Sequence, residues 1–340
     1  MNGGFTTEVL PTHTKALFDA AVLRAAELLR AGEVVALPTE TVYGLAANAL
    51  DANAVAKIYE IKGRPAHNPI IVHVSDTAMA KSCVANWPDH AGQLAKSFWP
   101  GPLTLVLPRA KNIPAIVTAD GDTVGVRWPS HPFIQAVIHA CGFPLAAPSA
   151  NPSNEISPTN AAHVAKKLNG KIKLIVDGGQ SQIGIESTVV DLTSGALRVL
   201  RPGMIHEESL LAAVESPIAN RQSPIPETTL RSPGLLAKHY SPKAKLTVLN
   251  WRDDANLREQ IGHWPLAIEN VHIIAHTRIP SGFDASRVSV IPHDAEAFAR
   301  ALYAELHHCD EAGAELIIVE QLPTTPAWRG IADRLRRAAA

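Results

Sequence analysis

Cysteine is nearly absent. Only Cys83, Cys141 and Cys309 occur in 340 residues, far apart and with no CxxC pair. A disulfide framework and a thiolate zinc site are therefore not expected. Aromatic residues make up 5% of the chain, too few for a stacking platform for single-stranded nucleic acid. Charge of one sign is not in excess either. Lys plus Arg is 31 and Asp plus Glu is 32, a formal net charge of −1, which excludes a bulk basic nucleic-acid binder but not a local basic cleft. No apolar run approaches the roughly 18 residues of a membrane span. Met1–Pro11 has no basic segment followed by an apolar core, so neither a signal peptide nor a membrane anchor is expected, and the expected setting is cytoplasmic. Several signature motifs are missing too: GxxxxGK[ST], a GxGxxG after a strand, HExxH and an EF-hand loop. His307, His308 and Cys309 are adjacent and cannot share one ion from a regular helix, so no protein-ligated metal is expected.

What is present is an apolar, proline-punctuated chain with 46% hydrophobic residues, enough to bury a core. Thr14–Ala31 reads as a helix with Thr14 as N-cap and Gly32 just past its end. Strands are expected at 34–37, 70–74, 103–107, 124–127, 145–147, 174–176 and 188–192. Helices are expected near 54–61, 89–97, 133–140 and 160–168. This alternation predicts an α/β domain over residues 1–215. Residues 216–243 carry five prolines and little periodicity, and read as an extended linker or lid. From 244 to 340 a second pattern appears, with strands at 246–249, 271–275, 288–291 and 316–319 and helices at 294–312 and 328–337. It predicts a smaller Rossmann-like domain. Charge does not separate the two halves: residues 1–215 carry 17 basic and 18 acidic side chains, and 216–340 carry 14 of each.

Chemistry-bearing residues cluster after the strands of the first domain. Thr39, Glu40 and Thr41 follow 34–37 directly, at the strand end where open α/β sheets hold ligands; the alternative is a capped strand-to-helix turn. Lys62 and Arg64 flank Gly63, giving a point charge and a planar fork suited to phosphate oxygens, or else a solvated basic turn. His73 ends a strand, and taken alone it is an ordinary core histidine. The segment Trp99–Thr104 (WPGPLT) reads as a rigid wall. Arg127 could hold a carboxylate bidentately or form a surface salt bridge. Ser149 is in no GxSxG elbow, so it is not an acyl-enzyme nucleophile; small hydroxylated residues there suit close approach of a ligand. Four cations (Lys62, Arg64, Arg127, Arg201) and many hydroxyls in one domain fit a polyanion beside a small zwitterion.

The motifs PTETVYGL (38–45), KGRPAHNPIIVH (62–73), WPGPLTLVL (99–107), TVGVRWP (123–129), AAPSAN (146–151), DGG (177–179), IESTVVD (185–191), LRPG (200–203) and SPGLLAKHYSP (232–242) carry a resemblance. In order and spacing the chain resembles the L-threonylcarbamoyladenylate synthases in their two-domain form. That resemblance implies a YrdC-like domain with a twisted, open mixed sheet and flanking helices, followed by the Rossmann-like α/β domain. It implies an enzyme that joins L-threonine, bicarbonate and ATP, with Mg²⁺ assisting, to give threonylcarbamoyl-AMP and pyrophosphate. A separate transferase then uses the product to form N6-threonylcarbamoyladenosine in tRNA. It further implies that Thr39, His73, Arg127, Ala147 and Ser187 line a threonine pocket. Lys62, Arg64, Asn68, Thr123, Ser149, Ser157 and Arg201 would face ATP, with Tyr240 closing over the nucleotide and Lys62 and Arg64 acting in catalysis. The competing reading is an RNA-binding module without chemistry, but the hydroxyls at 39, 149 and 187 argue against it, since phosphate-backbone binding needs only cations.

Overall fold

The structure is a computed structural model that describes residues 6–194, 197–214, 239–264 and 270–340. The chain divides into two units. The first comprises Met1–Ser153 and Ser157–Leu235, the second Asn154–Ile156 and Leu236–Ala340. The expected linker, 216–243, lies outside the described residues as far as 238.

In the first unit the strands are β1 (Glu8–Pro11), β2 (Val35–Leu37), β3 (Gly44–Asn48), β4 (Val72–His73), β5 (Leu103–Pro108), β6 (Thr123–Arg127), β7 (Leu145–Ala146), β8 (Leu174–Asp177), β9 (Thr188–Asp191) and β10 (Arg198–Arg201). They form one sheet in the order β1-β8-β2-β3-β7-β4-β6-β5-β9-β10. The helices are α1 (Lys15–Arg30), α2 (Ala52–Lys62), α3 (Thr77–Ser82), α4 (Asp89–Phe98), α5 (Pro132–Cys141), α6 (Ala161–Leu168) and α7 (Glu207–Ala212). The sheet is mixed: β1–β8, β2–β8, β4–β6 and β5–β9 are parallel, whereas β2–β3, β3–β7, β4–β7, β5–β6 and β9–β10 are antiparallel.

Side-chain alternation along the strands divides the core in two. Val35 and Leu37 point to the face packed by Leu28 and Leu29 of α1 and Phe133, Ile134 and Val137 of α5. Ala36, Leu45 and Val72 point to the opposite face, with Val55 and Ile58 of α2, Leu94 of α4 and Val164 of α6. Thr14 caps α1, its hydroxyl accepting from the Leu17 N–H at 3.3 Å. Asp51 caps α2 through the N–H groups of Asn53 and Ala54. Gly63 then ends α2 in the left-handed region, φ 58°, which glycine adopts without a Cβ penalty. That reversal leaves Lys62 on the last helical turn, where the carbonyl end of the helix favours a cation.

Three expectations need correcting here. The strand expected at 70–74 is shorter, Val72–His73. The 38–43 segment is not a strand-to-helix turn; it joins β2 to antiparallel β3, with Leu37 paired to Gly44. Strands β1, β3 and β10 and helices α3 and α7 were not expected.

The second unit is a parallel sheet in the order β11-β14-β12-β13, with strands Lys245–Leu249 (β11), Val271–Ala275 (β12), Val288–Val290 (β13) and Leu316–Glu320 (β14). Its helices are α8 (Asp254–Ile261), α9 (Ala295–Glu311) and α10 (Arg329–Ala338). Every residue of β12 and of β14 is buried, which accounts for their largely apolar make-up, with His272 and Glu320 as the polar members. Among the described residues no helix is long and apolar enough to cross a membrane.

Candidate active site

Pro38–Tyr43 is pinned by its own hydroxyls. Thr39 Oγ1 accepts from the N–H groups of Thr41 (3.2 Å) and Val42 (3.3 Å) and donates to the Val42 carbonyl at 2.6 Å. The neighbouring chain holds it from outside: the N–H of Ile183 donates to Glu40 O, that of Gly184 to Thr41 O, and the Ser181 hydroxyl to Thr39 O. Tyr43 reaches the DGG segment, donating to Gly179 O at 2.7 Å and accepting from the Gly178 N–H. A Cβ on Gly178 would lie 2.6 Å from Pro38 Cγ, so this contact admits only glycine.

Arg127 ends β6 and is buried, with each guanidinium nitrogen close to an oxygen but Nη2 making no hydrogen bond. Nη2 lies 2.7 Å from Glu40 Oε1, Nη1 donates to Thr41 Oγ1 at 2.9 Å, and Nε to Gly101 O at 3.3 Å. Burial disfavours a charged Glu40, yet the Arg127 guanidinium and the Ser130 N–H hold its carboxyl below the ordinary range. His73 is paired with Arg127 across β4–β6 and is buried. Burial first, and the Arg127 cation second, push it well below the histidine range, so the ring is neutral at pH 7. Neither ring nitrogen has a hydrogen-bond partner among the described residues, which leaves two polar atoms for a ligand. Ala147 follows β7, its N–H donating to Ile71 O; a Cβ on Gly44 would come within 3.3 Å of its Cβ.

A neutral buried His73 gives a testable pH dependence. Its folded pKa is depressed, so below pH 6.5 the unfolded chain takes up a proton that the folded chain does not. Stability is then fully present above 6.5 and lost as pH falls. In urea titrations at pH 7.0 and 5.5, wild type should lose up to about 1.4 kcal/mol per pH unit more than His73→Gln. Equal slopes would mean that His73 titrates as in the unfolded chain.

A second group gathers around α2 and the 148–151 turn. Lys62 is buried and its ammonium donates to the carbonyls of Ser149, at 2.6 Å, and Asn151. Arg64 donates to Asn68 O (2.9 Å), Asn68 Oδ1 (2.8 Å) and Pro69 O (2.6 Å). A third group spans β5, β9 and β10. The Ser187 and Thr104 hydroxyls lie 2.8 Å apart, and Arg201 donates through Nη2 to Ser187 Oγ and through Nε to Ser187 O, both at 3.1 Å. Ser157 donates to Glu186 Oε1 at 2.6 Å.

Direct contacts thus join Arg127 to the Thr39–Thr41 turn, Lys62 to Ser149, Arg64 to Asn68, and Ser187 to Arg201. Thr123 stands apart at the far end of β6 from Arg127, about 13 Å along the strand. Tyr240 belongs to the second unit, where it is buried, with its ring 5.9 Å from Tyr303 and the Arg334 guanidinium 5.4 Å over it. Glu40 and Thr41, expected beside Thr39 as ligand-binding groups, both meet Arg127. The sequence does not single out Thr104, Glu186 or the carbonyls of Gly101 and Asn151; Thr104 lies inside WPGPLTLVL and Glu186 inside IESTVVD, so the motifs mark the segments but not these groups.

Two family models match most of the chain: Sua5_yciO_yrdC, described as telomere recombination, over residues 27–203, and the C-terminal domain of threonylcarbamoyl-AMP synthase over 205–340. The threonylcarbamoyl-AMP synthase of Pyrococcus abyssi is 40% identical over 92% of both chains. That of Bacillus subtilis is 40% identical over 94% of this chain and 93% of its own. The crystal structure of P. abyssi Sua5 complexed with L-threonine superposes with a TM-score of 0.88 at 37% identity, covering 98% of each chain. Both domains and their order are shared, and the chain belongs to the threonylcarbamoyl-AMP synthase family of nucleotidyltransferases.

Proposed function

We propose that the protein makes L-threonylcarbamoyl-AMP and pyrophosphate from L-threonine, bicarbonate and ATP. The product would supply a separate transferase that modifies tRNA to N6-threonylcarbamoyladenosine, in a cytoplasmic setting. The observation that carries the reading is the buried Arg127 beside a neutral His73 with both nitrogens unpartnered. This is a carboxylate receptor with a neighbouring uncharged donor and acceptor, and the solved P. abyssi relative is complexed with L-threonine. Thr39, His73, Arg127, Ala147 and Ser187 line the threonine pocket. Lys62, Arg64, Asn68, Ser149, Ser157 and Arg201 face ATP; Thr123 does so only through the far end of β6.

The chemistry needs no covalent enzyme nucleophile. The ammonium of threonine and bicarbonate combine into a carbamate, the new N–C bond forming with loss of one water and one proton to solvent. A carbamate oxygen attacks the α-phosphorus, and the bond to the bridging oxygen breaks to release pyrophosphate. Negative charge grows on the phosphoryl oxygens, so positioned cations and exclusion of water carry the rate. Among the described residues no three His, Cys, Asp or Glu side chains converge as a metal cage. Mg²⁺ entering with the nucleotide would offset triphosphate charge beside Lys62, Arg64 and Arg201.

The test is pyrophosphate release and the AMP-linked product with purified protein, bicarbonate and MgATP, comparing L-threonine with the other amino acids. Threonine-dependent product is expected. Salt-sensitive RNA binding without any turnover would replace this reading by the binding module.

A further inference from the structure

Glu40 is 1% exposed and its carboxylate sits against a guanidinium that is 4% exposed. Neither residue reaches solvent, and the turn carrying Glu40 is fixed on both sides by the bonds from Ile183, Gly184 and Ser181. Among the titratable neighbours are His131, pushed down by its own burial and drawn up by Glu40, and His73, beside Arg127. A buried guanidinium alone is an electrostatic hole that any carboxylate could fill. With Glu40 in place Arg127 is already neutralised. A ligand carboxylate entering this pocket adds a net negative charge in a low-dielectric surrounding, unless the ligand brings its own cation.

We propose that Glu40 is the specificity-determining and positioning residue of the threonine pocket: it orients Arg127 and balances the pocket's charge so that only a carboxylate ligand carrying an ammonium group binds well. The proposal rests on the assignment of Arg127 to the threonine carboxylate. It gives a buried anion a role in choosing the substrate, by penalising ligands of the wrong net charge.

The experiment compares equilibrium binding of L-threonine with that of its deaminated 2-hydroxy analogue, 2,3-dihydroxybutanoate, by isothermal titration. In Glu40→Gln the preference for threonine over the hydroxy acid should fall at least about tenfold, while ATP affinity stays within about twofold. An unchanged preference overturns the proposal, as does an equal loss for threonine, hydroxy acid and ATP, which is what a merely structural residue would give. If Glu40→Gln does not fold, Glu40→Asp carries the test, because it keeps the charge but withdraws it by one methylene. The preference should then fall at least about threefold, and an unmoved preference overturns the proposal. Arg127→Gln serves as the control on the underlying assignment. If it leaves threonine affinity intact, the assignment of Arg127 has failed, whatever Glu40 does.

Discussion

Lys62→Ala should reduce threonine-dependent pyrophosphate release by about 10³-fold or more while the protein remains folded. Lys62 lies on the last turn of α2, buried, with its ammonium on the carbonyls of Ser149 and Asn151. It therefore joins the helix end to the turn that carries Ser149, and places a positive charge where the triphosphate is proposed to lie. Removing one donor aimed at charge that develops in the transition state costs about 10²–10³ in rate, and loss of the strap to 149–151 adds to that. Lys62→Met separates the two contributions in part, because it retains the packing stem and removes only the ammonium. Both variants should give wild-type circular dichroism, and pyrophosphate release should be the quantity that collapses. Near-normal turnover in either would show that Lys62 is a structural clip and would shift the catalytic role to Arg64 and Arg201.

The second large effect concerns stability. Asp333 on α10 is 6% exposed and contacts Arg334 and Arg337 at 3.0 Å each, with Arg336 close by. Arg334 is wholly inaccessible. Burial opposes the charge on Asp333, but the Arg334 and Arg337 cations outweigh it and hold the carboxyl below its usual range. Its contribution is therefore present above pH 3.8 and lost as pH falls below that value. Asp333→Ala removes the carboxylate that faces two buried guanidinium groups, and the expected cost to the second unit is about 3–5 kcal/mol. The same helix holds the chain where it re-enters the described structure: Arg337 O accepts from the His239 N–H at 3.1 Å, and Arg334 lies over the Tyr240 ring. Hydrogen exchange followed by mass spectrometry should show faster exchange across α9, α10 and residues 239–249 in Asp333→Ala, with α1–α5 unchanged. Uniform acceleration in both units would contradict a local origin.

The sequence revealed most where physical chemistry is local. Strands such as 103–107, 174–176 and 271–275 are mostly apolar runs, and each lies within two residues of its observed bounds. α1 could be placed from Thr14 and Gly32 because capping depends on neighbours in the chain. β3 was missed because Gly44–Asn48 is built from small residues, with no β-branched side chain to mark a strand; its pairing with β2 and β7 imposes it. The six-residue helices α3 and α7 are too short to show a period.

At the site, recognisable motifs named most of the residues, but what each touches was out of reach. Arg127 meets Thr41 across 86 positions, and Ser187 meets Thr104 across 83. No pattern in one sequence encodes such pairings. Glu40 shows the difference: its motif was visible at once, but its burial against Arg127 appears only when β2 and β6 are set in one sheet.

The placing of β8 sets an order of events during synthesis. β8 lies between β1 and β2 and is hydrogen-bonded in parallel to both, and Thr7 bonds to Ile172, 165 positions away. Until the ribosome has delivered residue 177, the inner edges of β1 and β2 have no strand to pair with. At about 5–20 residues per second, that wait lasts about 8–33 s. Throughout it the nascent chain presents two unpaired strand edges, the kind of surface that recruits holding chaperones or a second nascent copy. β1 is made long before β8 and pairs only once β8 has been delivered.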